Sequence, residues 1–364
     1  MIKQIFNTFV LMAPLLTLAS CGPDAVQRSS EDPWSSKNQS VKTMNEVAKS
    51  KTSPTIVNGE AVRNRALEIL RQGAKSTDPR MRSNAIEALK YAPDVVLEDT
   101  LRFALGDENR AVRFVSAMMV GKKKMCNLAM FLEPLLLDTS LSVQAAALYS
   151  LYRCGQKVDL NPIAAMLQSG DAELQGNAAL VLGMMGNKSA VHMIRESLKV
   201  PQTSITPIRR RLINLQMAEA LVLLGERKEL EVVRAGIFSS AQEAEVTALS
   251  CQIAAHLKDY EVVSTLESIL LGTRRYPDEI RLVAATALAE IAPSRMPLEI
   301  VLGYSSNDSS NIRSQCAAAL GVQGNRLSLG PLALMLRDVD PFVQISASGA
   351  ILRIDNGDSI PVLD

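Results

Sequence analysis

From about residue 61 onward, apolar residues recur at helical spacing, and small polar, Gly or Pro breaks interrupt them every 12–17 residues or so. Alternating β-branched runs are almost absent, so the pattern predicts helices joined by short turns and no sheet. Laid against itself, the chain repeats. The stretch from Asp138 through Val143 and Ala147 to Leu151 has counterparts along the chain: Asp107 with Val112, Arg113 and Val120; Asp171 with Leu174, Ala178 and Leu182; Asp308 with Ile312, Arg313, Ala319 and Leu320; Asp340 with Phe342, Val343 and Ala347. The first apolar anchor of each unit falls at Met81, Val112, Val143, Leu174, Ile213, Val246, Ile280, Ile312 and Val343, in steps of 31, 31, 31, 39, 33, 34, 32 and 31 residues. A period in this range, built from two helices, predicts an all-α fold: an α-solenoid of about nine helix pairs.

Each unit carries its own physical logic. An Asp before the second helix, as at Asp107, Asp138 and Asp308, is expected to cap free backbone N–H groups. Pro79, Pro277 and Pro341 sit where a helix start loses no hydrogen bond. Alanine four residues past the anchor (Ala85, Ala147, Ala178, Ala284, Ala347) permits close helix approach. Leu or Ile eight past it (Leu89, Leu151, Leu182, Leu288, Leu320, Ile351) fills the layer between units. Glycine near position twelve (Gly155, Gly186, Gly225, Gly324) predicts a left-handed helix end. The Val246 unit has Leu257-Lys258-Asp259 there instead, and the Ile213 unit follows an insertion at 200–207.

This pattern resembles HEAT-like repeats, in particular the short subclass first noted in phycobilin lyases. The resemblance covers about residues 61–356 and speaks to architecture far more than to activity. It implies an extended curved array, an arc of about 90 Å at about 10 Å per packed helix layer. No polar capping helix is evident before the tail at 357–364.

The N-terminus reads differently. Lys3 precedes an apolar run from Ile5 to Leu18, broken by Asn7, Thr8 and Pro14. The run is shorter than the roughly 20 residues that span a bilayer, so residues 1–20 are expected to be a signal peptide. Leu18-Ala19-Ser20-Cys21 resembles the lipobox of bacterial lipoproteins. The resemblance implies cleavage before Cys21 and acylation of its thiol, which anchors the chain to the cell envelope. Gly22, where an Asp would retain such a protein at the inner membrane of enteric bacteria, points to the outer membrane facing the periplasm; the outer leaflet of the inner membrane is the alternative. Residues 21–60, rich in Ser, Asn, Lys, Asp and Pro, suit a flexible tether.

Composition narrows the function classes. The 364 residues carry a net charge of +1, which argues against a polybasic nucleic-acid binder. Aromatic residues make up 4%, with Trp34 the single tryptophan, so base- or sugar-stacking platforms are not expected. His192 and His256 are the only histidines, and neither has a second ligand at metal spacing. No His-Glu dipeptide occurs, against an iron site like that of deoxyhypusine hydroxylase, which HEAT-like enzymes can carry. Gly183-Met-Met-Gly186-Asn-Lys188-Ser189 lacks the Gly-Lys pair of a phosphate loop and reads as a helix–helix turn. No catalytic residue, cofactor, metal or small-molecule substrate is expected.

Of five cysteines, Cys21 is assigned to lipid. Cys251 and Cys316 fall at or beside small packing positions. Cys126 begins the first helix of its unit and Cys154 ends the second, neighbouring ends of one antiparallel hairpin. A disulfide between them and a pair of packed free thiols are both open, the thiols being the expected state. Basic clusters stand at Lys122-Lys123-Lys124, Arg209-Arg210-Arg211 and Arg274-Arg275. They read first as solvated faces, and second as contacts for an anionic partner or acidic lipid. The functional expectation is a membrane-anchored, non-catalytic scaffold that binds a protein or peptide. The alternatives are a bilin-lyase-like enzyme or subunit and a passive structural envelope protein.

Overall fold

The computed structural model describes residues 59–200, 205–272 and 276–355. The signal peptide, Cys21, the tether up to residue 58, residues 201–204 of the insertion, Arg274, Arg275 and the tail therefore lie outside the described residues. Among the described residues the chain forms eighteen α-helices and no strand. They alternate. One set is α1 (Gly59–Gly73), α3 (Asp94–Ala104), α5 (Ala129–Leu132), α7 (Asn161–Leu167), α9 (Ala190–Ser197), α11 (Leu230–Ile237), α13 (Val263–Leu270), α15 (Leu298–Leu302) and α17 (Leu329–Met335). The other is α2 (Pro79–Ala88), α4 (Arg110–Lys123), α6 (Leu141–Arg153), α8 (Ala172–Met185), α10 (Pro207–Leu223), α12 (Ala244–His256), α14 (Asp278–Ile291), α16 (Ser310–Gln323) and α18 (Pro341–Asp355).

The odd-numbered helices show one apolar stripe and one solvated face, as helices on the outside of an array do. The even-numbered helices are buried almost all round, as in α8, where residues 175–183 are buried without a break. All nine sequence anchors lie on these inner helices, and the expected nine helix pairs are present.

The array does not end in open edges. Each inner helix packs on the next, and α18 packs back on α1 and α2. Arg63 of α1 donates to Asp355 of α18 at 2.7 Å. The Arg353 guanidinium lies 5.5 Å from the Tyr91 ring, and that of Arg80 5.5 Å from the Phe342 ring. A Cβ on Gly73 would sit 3.0 Å from Ile345 Cδ1. The solenoid is therefore a closed ring, and the expectation of an open 90 Å arc is corrected: that length is bent into a circumference. The last unit packs against the first. Nine inner helices about 9 Å apart put their axes on a circle of about 13 Å radius. Subtracting half a helix diameter leaves a core about 7 Å in radius for inward-pointing side chains.

Sequential units are tied by a polar ladder. Arg82, Arg113 and Arg313, one residue past their anchors, reach aspartates 25 residues on in the next unit: Asp107 at 2.7 Å, Asp138 at 2.6 and 2.8 Å, Asp338 at 2.7 and 2.8 Å. The same guanidiniums donate to carbonyls of their own loops, including Ser76, Asp107 and Asn307. The Arg313 fork holds the Asp338 carboxyl below the usual carboxylate range. The expected capping role of Asp107 and Asp138 is thereby corrected. Asn109 caps α4 by accepting from Ala111 N at 2.9 Å, and Ser140 and Ser309 stand at the cap positions of α6 and α16. Asp171 does cap α8, at 2.8 and 3.1 Å.

Candidate functional site

The C-terminal ends of the inner helices converge on one mouth of the ring. Ten residues past the anchor, consecutive units place Tyr91, Lys122, Arg153, Met184, Leu223, His256, Glu290, Val322 and Arg353 around it. That several face inward follows from pairs that skip a helix. Arg353 of α18 donates to Glu290 of α14 at 2.8 Å, past α16. Lys122 of α4 interacts electrostatically with Glu219 of α10, three inner helices away. One turn deeper lie Glu87, Tyr149 and Glu219, all buried.

Lys122 is exposed at this mouth, and desolvation by surrounding protein pushes its pKa below the ordinary lysine value. Beneath the mouth lies a floor of buried side chains.

The floor is polar. His256 Nδ1 lies 2.6 Å from Glu219 Oε1, a hydrogen bond between two units. The other oxygen, Glu219 Oε2, is buried without a partner. Glu87 sits at the matching position of the first unit, where burial raises its pKa to about 7 against the opposing pull of Lys122 and Lys90. On the far wall Glu290 accepts from Lys258 at 2.8 Å and from Arg353. Burial alone would raise the Glu290 pKa, but these two cations outweigh it and hold it low. Arg153, beside Lys122 in register, has its Nε buried without an acceptor.

The sequence-predicted residues scatter. Lys122 stands exposed at the mouth, while Lys124 takes a left-handed conformation, φ 53°, at the end of α4. Arg209, at the other end of the inner helices, is near Glu173, Asp171 and Glu245. Arg211 pairs with Glu243 and donates to Ser239 Oγ at 2.8 Å. The second basic cluster therefore has acidic neighbours within the chain. His192 is exposed on α9, and His256, exposed at the end of α12, bonds to Glu219. Cys126 and Cys154 are bonded, with Cα atoms 5.4 Å apart, a normal span for a bridge; the expectation of free thiols is corrected for this pair. Cys251 and Cys316 are free and buried, and burial pushes both thiols up to about 12. Among the described residues no group of three His, Cys, Asp or Glu is placed to hold a metal ion, and no helix is long and apolar enough to cross a membrane.

The outer wall has a feature of its own. Val95 and Phe103 on α3 and Met130 and Leu137 on and after α5 are 64%, 81%, 68% and 89% exposed. These elements adjoin, with the Arg102 guanidinium 5.7 Å from the Phe131 ring.

No known family model and no curated protein matches the chain. Among solved structures it is similar to an engineered protein, at 17% identity and a TM-score of 0.32, covering 84% of this chain and 97% of that one. It is also similar to the CpcE–CpcF complex of phycocyanin lyase from Nostoc sp. PCC7120, at 15% identity and a TM-score of 0.36, covering 68% and 91%. Human deoxyhypusine hydroxylase in complex with glycerol is similar at 12% identity and a TM-score of 0.34, covering 82% and 98%. At these scores the likenesses carry nothing about activity, and the fold stands on the helices described above.

Proposed function

We propose that this chain is a lipid-anchored, non-catalytic scaffold of a bacterial cell envelope. Cys21 takes the lipid, residues 22–58 act as the tether, and the helical ring binds a protein partner on its outer wall. The observation that carries this reading is the exposed apolar group on the second and third units: Val95, Phe103, Met130 and Leu137. Aromatic residues and Met are enriched where proteins meet, and these four side chains stand exposed on adjoining elements of the outer wall. The Cys126–Cys154 bond supports export, because such bonds persist in oxidising compartments.

The test is cross-linking and affinity purification from solubilised envelope, comparing the wild-type chain with Phe103→Asp/Leu137→Asp. A partner captured by the wild type and lost in the variant is the expected result. Failure to recover any reproducible partner overturns the scaffold reading. Lipidation is tested separately, by sensitivity of processing to globomycin and by mass spectrometry of the mature N-terminus. A mature chain without acyl mass on Cys21 overturns the anchor.

A further inference from the structure

The Cys126–Cys154 bond sits where the outer wall is built most thinly. Outer helix α5 runs only from Ala129 to Leu132, between one 3₁₀ turn at Cys126–Leu128 and another at Glu133–Leu137. Pro134 in the second turn has no N–H with which to continue the helix. Leu128, Leu132 and Leu135 anchor this segment in the core, and Phe131 lies against the Arg102 guanidinium. Among the described residues no side-chain hydrogen bond or ion pair ties residues 127–137 to the rest of the ring. The disulfide therefore fastens the start of the segment to the end of α6. The inner helices on either side do not depend on it. Arg113 of α4 holds Asp138 at 2.6 and 2.8 Å, and Ser150 of α6 donates to the Ala117 carbonyl at 2.5 Å. Gly121 packs directly on Tyr149 and Ser150.

The surroundings of the bond favour its opening. Cys126 is exposed and Cys154 half-buried. Lys122, Lys123 and Lys124 precede Cys126, and Arg153 and Lys157 flank Cys154. No Asp or Glu occurs in residues 122–132 or 141–158. Cations beside a cysteine favour its thiolate, which makes it a better leaving group and stabilises the reduced pair. We propose that the Cys126–Cys154 bond is a thiol–disulfide exchange site, opened by a dithiol, whose reduction frees residues 125–137 while the ring stays folded. One thiolate of the dithiol attacks Cys126 Sγ, the bond to Cys154 breaks, and Cys154 leaves as a thiolate that takes up a proton. The second thiol of the dithiol then gives up its proton and displaces Cys126, which is protonated in turn. The chain ends with two thiols and the dithiol as a disulfide, two electrons having passed between them. The segment then keeps only its three buried leucines and Phe131. Met130 and Leu137 belong to it, whereas Val95 and Phe103 stay on α3, so reduction also loosens the exposed apolar group. That consequence rests on the scaffold reading; the exchange and the release do not.

The test treats the mature chain with dithiothreitol under native conditions, followed by alkylation, mass spectrometry and hydrogen–deuterium exchange. Alkylation is expected at Cys126 and Cys154 and not at the buried Cys251 and Cys316. Amides of residues 127–137 are expected to exchange at least about tenfold faster than in the oxidised chain, with the middles of α4 and α6 unchanged and the melt still cooperative. Cys126→Ser/Cys154→Ser is expected to show the same fast exchange without dithiothreitol, which separates loss of the bond from other effects of the reagent. Several results overturn the proposal: two free thiols in the untreated chain, a bond reduced only after the ring is unfolded in urea, exchange unchanged by reduction, or a reduced chain without a cooperative melt. Capture of a partner by the outer wall is read separately, in the wild type against Phe103→Asp/Leu137→Asp, so failure of either reading leaves the other standing.

Discussion

At the residue scale the buried layer beneath the mouth stores a titration. Glu87 has an ordinary carboxylate value when unfolded and one of about 7 when folded, because burial penalises its charge. Between those values the folded state holds a proton that the unfolded state has released. Stability therefore falls as pH rises through this window and is level on either side. The difference of about 2.5 pH units corresponds to about 3 kcal/mol. Groups facing Glu87 include Lys90 on its own segment and Lys122 on α4, and both temper the effect. Glu87→Gln is expected to flatten the urea midpoint between about pH 5 and 7 and to stabilise the chain above pH 7; equal slopes in both proteins would show that the group titrates normally. None of this was legible in the sequence. Glu87 and Glu219 read as ordinary helix glutamates, and His256 as a lone histidine, because His256 and Glu219 lie 37 residues apart on different units. Only the curvature of the array turns their side chains toward a common centre. The Cys126–Cys154 pair was half legible: hairpin geometry brought the two ends together, but composition alone did not decide between bond and thiols.

At the element scale, the periodicity was sufficient for nearly everything that local chemistry controls. The anchors, the small residues at position four and the terminal glycines all fall where the helices need them, and Gly186 and Gly324 adopt φ near 75°. Where the Val246 unit lacks glycine, Lys258 takes the left-handed conformation itself, φ 53°, and its Nζ is held by the Glu290 carboxylate. What the pattern hid is how closely the inner helices approach. Gly121, Gly183 and Gly321, nine residues past their anchors, face Ser150, Ala220 and Ala350, seven past the next. A Cβ on Gly321 would lie 2.6 Å from both Cα and Cβ of Ala350. Backbone blocks the added methyl, so neither side chain can turn away. Gly321→Ala is expected to cost about 1–3 kcal/mol through overpacking. At Gly330, with open space around it, the same substitution should be neutral or slightly stabilising because alanine is the better helix former. Chemical denaturation of the two variants beside the wild type measures the contrast; equal stabilities would mean that α16 and α18 are not in that register.

At the scale of the whole molecule, closure changes what the ends of the chain mean. In an open solenoid each terminal unit has one neighbour, and removing it exposes one interface. Here α18 packs on α16 at one side and on α1 and α2 at the other, so it belongs to the ring as fully as any middle unit. Closure was not legible, because a repeat of about 31 residues fixes the local rotation between units only roughly. A small change in that angle separates a ring of nine from a shallow superhelix. The residues that decide it, such as Arg63 with Asp355 and Gly73 with Ile345, meet nearly 300 positions apart. Circular permutation tests the consequence. Arg63 of the first helix touches Asp355 at the end of the last, so a short flexible linker can join residues 355 and 59, with new ends opened within 201–204. Every unit of such a permutant keeps both neighbours if the ring is closed, and the new ends fall between helices, where permutation is best tolerated. The expected outcome is a folded, cooperatively melting protein whose radius of gyration by small-angle scattering equals that of the parent helical region. In an open arc the same linker would have to span the gap between distant ends, pulling the first and last units out of place. A permutant that is expanded, aggregated or without a cooperative transition would therefore refute the ring and return the array to an arc.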